Sequence, residues 1–182
     1  MNAIDLLLTR QSSPHLAGPA PDPECLEKIL LAGMRVPDHA NLKPFHFTVV
    51  QGDGLQKLSD IFVQAVSTPT ISQAKLEKTV KMPFRAPLLI IVSTLYQTHE
   101  KVPKSEQLIA AGCAVHAMQM ASVALEFGAI WRTGELSYND KVKQALSIST
   151  QEDIVGYLYI GTQANATIGK ARKFYDDRVS YL

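Results

Sequence analysis

Cysteine is scarce in this chain: Cys25 and Cys113 are the only two among 182 residues. They lie far apart in apolar helical contexts, which reads as two buried free thiols in a reducing compartment. No CxxC, HExxH or clustered His/Cys spacing occurs, so the usual signatures of a structural metal are missing. Charge of one sign is missing as well. Charged residues make up 19% of the chain and the formal net charge is +1, which leaves no broad field for nucleic acid or an anionic membrane. An anion bound here has to be held by local groups. The stretch Met1–Arg10 lacks a basic n-region, a long apolar run and a small-residue cleavage site, so no secretion signal is read and a cytoplasmic location is expected. There are no internal repeats, no low-complexity tracts and no GxGxxG or GxxxxGKS/T loops, which removes the local signatures of Rossmann and P-loop binding. No Ser-His-Asp or Cys-His arrangement stands out as a nucleophilic centre.

What is present is apolar residue, at 46% of the chain. One domain spanning residues 1–182, large enough to bury most of its apolar surface, is the expectation. Its organising stretch is SEQLIAAGCAVHAMQMASVALEFGAIWRTG, Ser105 to Gly134. Between Gln107 and Phe127 the only charged residue is Glu126. A helix without a polar stripe is buried, in a protein core or in a membrane. Gln107, His116, Gln119 and Ser122, the small residues Ala111, Gly112, Ala114 and Ala117, and flanks without a basic bias favour a core helix over a membrane span. Burial on every side would call for neighbours on every side, which a short chain finds by dimerising. The helix is expected to end at Glu126-Phe127-Gly128, with Gly128 as a left-handed cap. A short strand over Ala129–Thr133 follows. Trp131-Arg132-Thr133-Gly134 offers an aromatic face, a fixed cation, a hydroxyl and a permissive backbone, the composition of a binding site.

The rest of the chain mixes helices and strands. Asn2–Arg10 is an amphipathic helix with Ile4, Leu7 and Leu8 on one side, ended by Pro14. Arg10 and Ser12 then emerge together at a turn. They form either a phosphate clasp, a bidentate fork plus a hydroxyl, or a simple partner for the helix dipole. After a Pro-rich connector over Leu16–Pro23, a second helix runs from Pro23 to Met34 with Cys25, Leu26, Ile29, Leu30 and Ala32 inward. The loop Arg35–Pro44 is bounded by prolines and carries the donors Arg35, His39, Asn41 and Lys43. It suits a flat anionic ligand, or it is a solvated basic loop. Strands are expected at Phe45–Gln51, Leu88–Leu95 and Asp153–Thr162, the last two buried on both faces. Asp53–Val66 and Asn139–Leu146 read as helices, the latter capped by Asn139 or Ser137. Ser72–Lys81 reads as a polar, partly helical excursion, and Gln163–Leu182 as a polar surface segment. About five helices and four strands without βαβ alternation indicate an α+β sheet covered by helices.

Four stretches in this order resemble the flavin-dependent nitroreductase family. They are RxS at Arg10–Ser12, RxPDHxNxKP over Arg35–Pro44, the helix AAGCAVHAMQMASVALEFG, and the IWRTG segment. The resemblance implies a nitroreductase-like α+β fold, with a mostly antiparallel sheet flanked by helices and a long buried central helix. It also implies FMN held without a covalent bond at a homodimer interface, NAD(P)H as electron donor, and a small-molecule acceptor. Arg10 and Ser12, with Gln11 between them, match residues that grip the phosphate and ribityl chain. Arg35, His39 and Asn41 match a loop at the isoalloxazine edge and the ribityl-phosphate side, contributed by either subunit. Trp131, Arg132 and Thr133 match the segment lining the flavin, and Arg172 stands where many relatives place a C-terminal phosphate-binding arginine. Gln11 replaces the second arginine of the family's RRS start, which removes one cation. The stretch Ala121, Ser122, Val123, Ala124, Leu125 and Glu126 matches one linked to nicotinamide-cofactor contact, although its apolar residues fit core packing equally.

The implied activity is reduction of a nitroaromatic, a quinone or an enone by a ping-pong mechanism, with the flavin rather than a catalytic side chain carrying the chemistry. Arg35 and Arg132 are the candidates to face the N1–O2 edge of the ring. Other readings are a flavin enzyme of the same fold that dehydrogenates or dehalogenates one metabolite, a non-catalytic flavin-binding protein, and a membrane or structural protein built on the central helix.

Overall fold

The computed structural model describes residues 2–164 and 175–182. Strand β3 (Leu88–Thr94) is buried along its whole length. Successive side chains of a strand point to opposite faces. Leu88, Ile90 and Val92 therefore enter one core, and Leu89 and Ile91 the other. A strand that is apolar at every position from Leu88 to Val92 needs cover on both sides, and the rest of the chain supplies it. On its two edges β3 pairs with β2 (Phe45–Gln51) and β5 (Ile154–Gln163). The free edge of β5 takes β4 (Gly128–Arg132) and, further along, β1 (Leu16–Ala17). All four pairings are antiparallel. The antiparallel α+β architecture is as expected, with β1 as an addition. Its two residues lie within the Pro-rich connector, too short a run for alternation to show.

One face of the sheet packs on α3 (Asp53–Val66) and α6 (Asp140–Ala145). Leu58 and Phe62 of α3 and Val142 of α6 meet Leu89, Ile91, Tyr157 and Tyr159 there. The Phe62 and Tyr157 rings stand edge to face, 5.4 Å apart between centroids. The segment after α3 is more ordered than its polarity suggests. It forms α4 (Gln73–Val80), capped by Ser72 and with Thr79 buried. The Ser59 hydroxyl, donating to the Val80 carbonyl at 2.9 Å, ties α4 to α3. Asn139, not Ser137, caps α6: its side chain accepts from the amides of Lys141 and Val142.

The other face carries α2 (Pro23–Gly33) and α5 (Lys104–Ala124), whose Ile29, Val115 and Met118 meet Leu88, Ile90, Leu158 and Ile160. Cys25 and Cys113 are free, but half-buried rather than buried. At the start of α5 the buried Gln107 side chain donates to the carbonyls of Gln97 and Val102 and accepts from the Gln97 amide. Helix α5 is central, as expected, but it is not covered all round. Leu108 and Ile109 are 39% and 66% exposed, and Gly112, Cys113 and His116 continue that open stripe. The apolar side of α1 (Ala3–Thr9) is equally bare, with Ile4, Leu7 and Leu8 at 62%, 57% and 79%. The neighbours of α5 within the chain are the sheet, α2 and α1, and the stripe they leave open is where the expectation of burial on every side calls for a second chain.

The end of α5 departs from expectation too. The amide of Phe127 donates to the Ser122 carbonyl and that of Glu126 to the Val123 carbonyl, at 2.9 and 3.0 Å. This is a Schellman closure, and its left-handed residue is Glu126, with φ of +68°, rather than Gly128. Gly128 opens β4, where a Cβ would lie 2.6 Å from a Leu16 methyl carbon. The side chains of Leu16 and Ser13, not helix capping, make glycine the residue that fits there without a shift. Glu126→Gly is expected to raise stability by about 0.5–1 kcal/mol, the left-handed penalty less the added freedom of the unfolded chain. Urea denaturation checks this, and an unchanged or lowered midpoint would show that the Glu126 side chain contributes more than its backbone costs.

Candidate functional site

The turn after α1 is tied to β4. Arg10 leaves the helix at ψ of 134°, and the Ser13 amide donates to the Ala129 carbonyl at 3.0 Å. Arg10, Gln11 and Ser12 are half-buried beside the strand that carries Trp131 and Arg132. The sequence-predicted groups Arg10–Ser12 and Trp131–Thr133 thus belong to one region of the fold.

Within β4 the side chains diverge. Trp131 joins the core on the α5 side and lies 3.8 Å from where a Gly112 Cβ would be. Its indole N–H donates to the Val155 carbonyl at 3.2 Å. Gly156, at φ of +156°, leaves the indole the room that a side chain would take. Arg132 points to the α3 side, with its Cζ 6.0 Å from the centre of the Tyr159 ring. Strand alternation means that the side chains of Trp131 and Arg132 face opposite sides of the sheet. A ligand that touches both must do so across the strand's end, where Thr133 and Gly134 are exposed.

The donor loop Arg35–Pro44 is docked elsewhere. His39 Nδ1 lies 2.8 Å from Glu106 Oε2, in the first turn of α5. Glu106 is six residues before Gly112, so the loop sits about 9 Å along the helix from the Trp131 contact. Ala40, Asn41 and Lys43 all have positive φ, at +62°, +53° and +50°. Three non-glycine residues in that region are strained, a feature that clusters at binding sites. The Asp38 carboxylate steadies the loop by accepting the Lys43 amide at 2.6 Å. Arg35, His39 and Asn41 are exposed. This donor set is intact, but one chain does not bring it onto Arg10 and Trp131.

The stretch Ala121–Glu126 is largely closed. Ser122 is fully buried, and its hydroxyl donates to the Met118 carbonyl at 2.8 Å. Ala121 and Leu125 pack on the core, which leaves Ala124 and Glu126 as the exposed residues. Arg172 lies outside the described residues.

A cavity of about 300 Å³ opens beside Arg132, Thr133 and Gly134 on the α3 side of the sheet. Its floor is Phe62, Tyr157 and Tyr159, and its far wall is Met82 and Arg85 from the turn ahead of β3. Burial pushes the Tyr159 phenol up from its ordinary pKa, partly countered by the guanidiniums of Arg85 and Arg132. Burial likewise raises the Tyr157 phenol, which donates to the Leu136 carbonyl at 3.2 Å. The Arg132 Nε is buried and has no hydrogen-bond partner among the described residues. Sequence reasoning gave no role to Arg85 or Tyr159. The available signal was weak: a lone arginine in Pro83-Phe84-Arg85-Ala86-Pro87, and a tyrosine inside an apolar strand.

The nitroreductase family model matches residues 7–162. The Escherichia coli (strain K12) protein YdjA, named provisionally as an NAD(P)H nitroreductase, is 45% identical over 162 residues, covering 89% of this chain and 88% of its own length. A nitroreductase-like family protein from Bacillus cereus superposes with a TM-score of 0.86 at 20% identity, covering 100% of this chain and 96% of its own. A nitroreductase with bound FMN from Bacteroides fragilis NCTC 9343 gives a TM-score of 0.76 at 19% identity, covering 100% of both chains. The family match spans the Arg10–Ser12 turn, the donor loop, α5 and β4 alike, and on that ground the chain belongs to the nitroreductase family.

Proposed function

We propose that this chain is an FMN-dependent oxidoreductase that takes hydride from NAD(P)H and reduces electron-poor acceptors such as nitroaromatics and quinones. The observation that carries this reading is the Ser13–Ala129 hydrogen bond, which ties the Arg10–Ser12 donors to the Trp131–Thr133 strand end. The residues fit the cofactor. Arg10 and the Ser12 hydroxyl suit a phosphate, the exposed Thr133–Gly134 backbone permits close approach of a flat ring, and Arg132 offers at its border a buried Nε without a partner among the described residues. The 45% identical relative, named as an NAD(P)H nitroreductase, supports the donor, and the Bacteroides fragilis nitroreductase with bound FMN supports the cofactor.

FMN supplies the redox chemistry when bound, accepting hydride from the nicotinamide and returning electrons to the acceptor. Reduction of a quinone then consumes one NAD(P)H and one proton and yields a hydroquinone and NAD(P)+. The chain's own residues bind and orient. Arg10, Gln11 and Ser12 hold the phosphate and ribityl end, while Arg132 and Thr133 border the ring. Arg35, His39 and Asn41 complete the site from a second copy of the chain, since their own loop is anchored at Glu106. That second copy covers the open stripe of α5 and the bare side of α1, whose leucines and isoleucines are too exposed for an isolated monomer.

The purified protein is expected to be yellow and to bleach on anaerobic addition of NADPH or NADH. Donor and acceptor share one site in turn, so initial-rate lines are expected to run parallel. A colourless protein that FMN does not reconstitute contradicts the reading, and intersecting lines contradict the ping-pong order. Arg10→Ala is expected to cut FMN retention after dialysis by about tenfold, the usual scale for one charge-assisted hydrogen bond, without lowering the melting temperature. Undiminished flavin content removes Arg10 from the clasp. Ile109→Asp is expected to give a monomer in size-exclusion chromatography, and a persisting dimer places the interface off α5.

A further inference from the structure

We propose that the cavity behind β4 receives an anionic group, a carboxylate or sulfonate, carried by a flat aromatic acceptor, with Arg85 and Arg132 as its ligands. The proposal rests on the oxidoreductase reading above and names its substrate class. Both arginines line the same 300 Å³ cavity, and both are only partly open to solvent. Among the described residues neither has an ion-pair partner. The one acidic residue in the lining, Glu135, is held by Lys75 at 3.0 Å. Among the described residues the cavity therefore holds two positive charges and no free negative one. The buried Arg132 Nε also has no hydrogen-bond acceptor among the described residues.

Partly buried cations without a counter-charge repel each other and lose hydration, which burdens the folded chain. A carboxylate between two guanidinium forks removes both penalties and offers each fork paired acceptors. The remaining lining selects the body that carries the anion. Phe62, Met82 and Leu136 are apolar, and Tyr157 and Tyr159 present ring surface. A volume of about 300 Å³ is at the small end for ligand sites and admits one substituted ring, not a dinucleotide. Thr133 and Gly134 join the cavity mouth to the strand end assigned to the flavin. An acceptor anchored through its anion thus lies next to the ring that reduces it. The Arg10–Ser12 clasp belongs to the other side of Ser13, at the start of β4, and leaves the cavity pair free of the cofactor's phosphate.

The test compares 4-nitrobenzoate with neutral 4-nitrobenzamide on the protein as purified, by calorimetry and by KM, in the parent chain and in Arg85→Met and Arg85→Gln. The parent is expected to bind 4-nitrobenzoate about tenfold or more tightly than the amide, the scale of one charge-assisted contact. In both variants the ratio is expected to fall to about twofold or less, while flavin absorbance per chain stays that of the parent. Equal affinities in the parent, or a ratio that survives both substitutions, would overturn the proposal. So would a variant that loses its flavin together with the ratio, because the arginines then serve the cofactor. Arg85-dependent binding of 4-nitrobenzoate by a protein that NAD(P)H does not reduce would keep the anion site and sink the reductase reading instead.

Discussion

Strand β5 is the element on which the molecule depends. It carries β3 on one edge and β4 with β1 on the other, so it joins the buried centre of the sheet to the strand that presents Trp131 and Arg132. Because its register with β4 pairs Trp131 with Leu158 and Arg132 with Tyr157, side-chain alternation sends the indole towards α5 and the guanidinium towards α3. A shift of one residue would exchange them and bury a cation among Val115, Met118 and Leu158. Gly156 secures that register from the β5 side, since its backbone and the indole occupy space no side chain could share. The same strand is tied to the end of β3 outside the ladder. The Thr94 hydroxyl donates to Glu152 and the Tyr96 phenol to Asp153, both at 2.6 Å, and burial with that bond pushes the phenol up to about 12.

Against this well-satisfied framework, the site stands out as the part of the chain with interactions left unmade. Among the described residues Arg132 lacks a partner for its Nε, and Arg85 and Arg132 share a cavity without a counter-ion; apart from them, three residues of the donor loop hold left-handed backbone without being glycine. Broken local rules of this kind are expected at functional sites, and within one chain they fall in two separate places, the cavity and the donor loop. The bare apolar stripes of α1 and α5 are incomplete in another way. They lack cover, and the donor loop beside α5 stands apart from Arg10 and Trp131 within one chain. One event, pairing of two chains, would answer both.

The strands, helices and long α5 were legible in the sequence because their signals are local. Leu88–Val92 is an unbroken apolar run of strand length, and Asp22-Pro23 opens the helix that follows it. The family resemblance was also legible, as four motifs in order. The helix end was misread because a glycine two residues on looked like the natural cap, whereas tertiary packing of Leu16 had already claimed it. Ser122 could not be separated from its neighbours, since whether a helical serine faces a ligand or bonds its own preceding turn depends on what packs against it.

The sequence alone determined the elements and the chemistry they carry: which segments are apolar with which period, where cations and hydroxyls cluster, and that no global charge guides a ligand. These follow from interactions between residues a few positions apart. Only the tertiary structure decided which donors meet. Arg85 is 47 residues from Arg132, Ser13 is 116 from Ala129, and His39 is 67 from Glu106. Strand register and helix packing set those distances, through contacts that no local pattern encodes. The split of Trp131 from Arg132 came the same way, because a strand's alternation is local but which face is core and which is cavity depends on the layers packed against it.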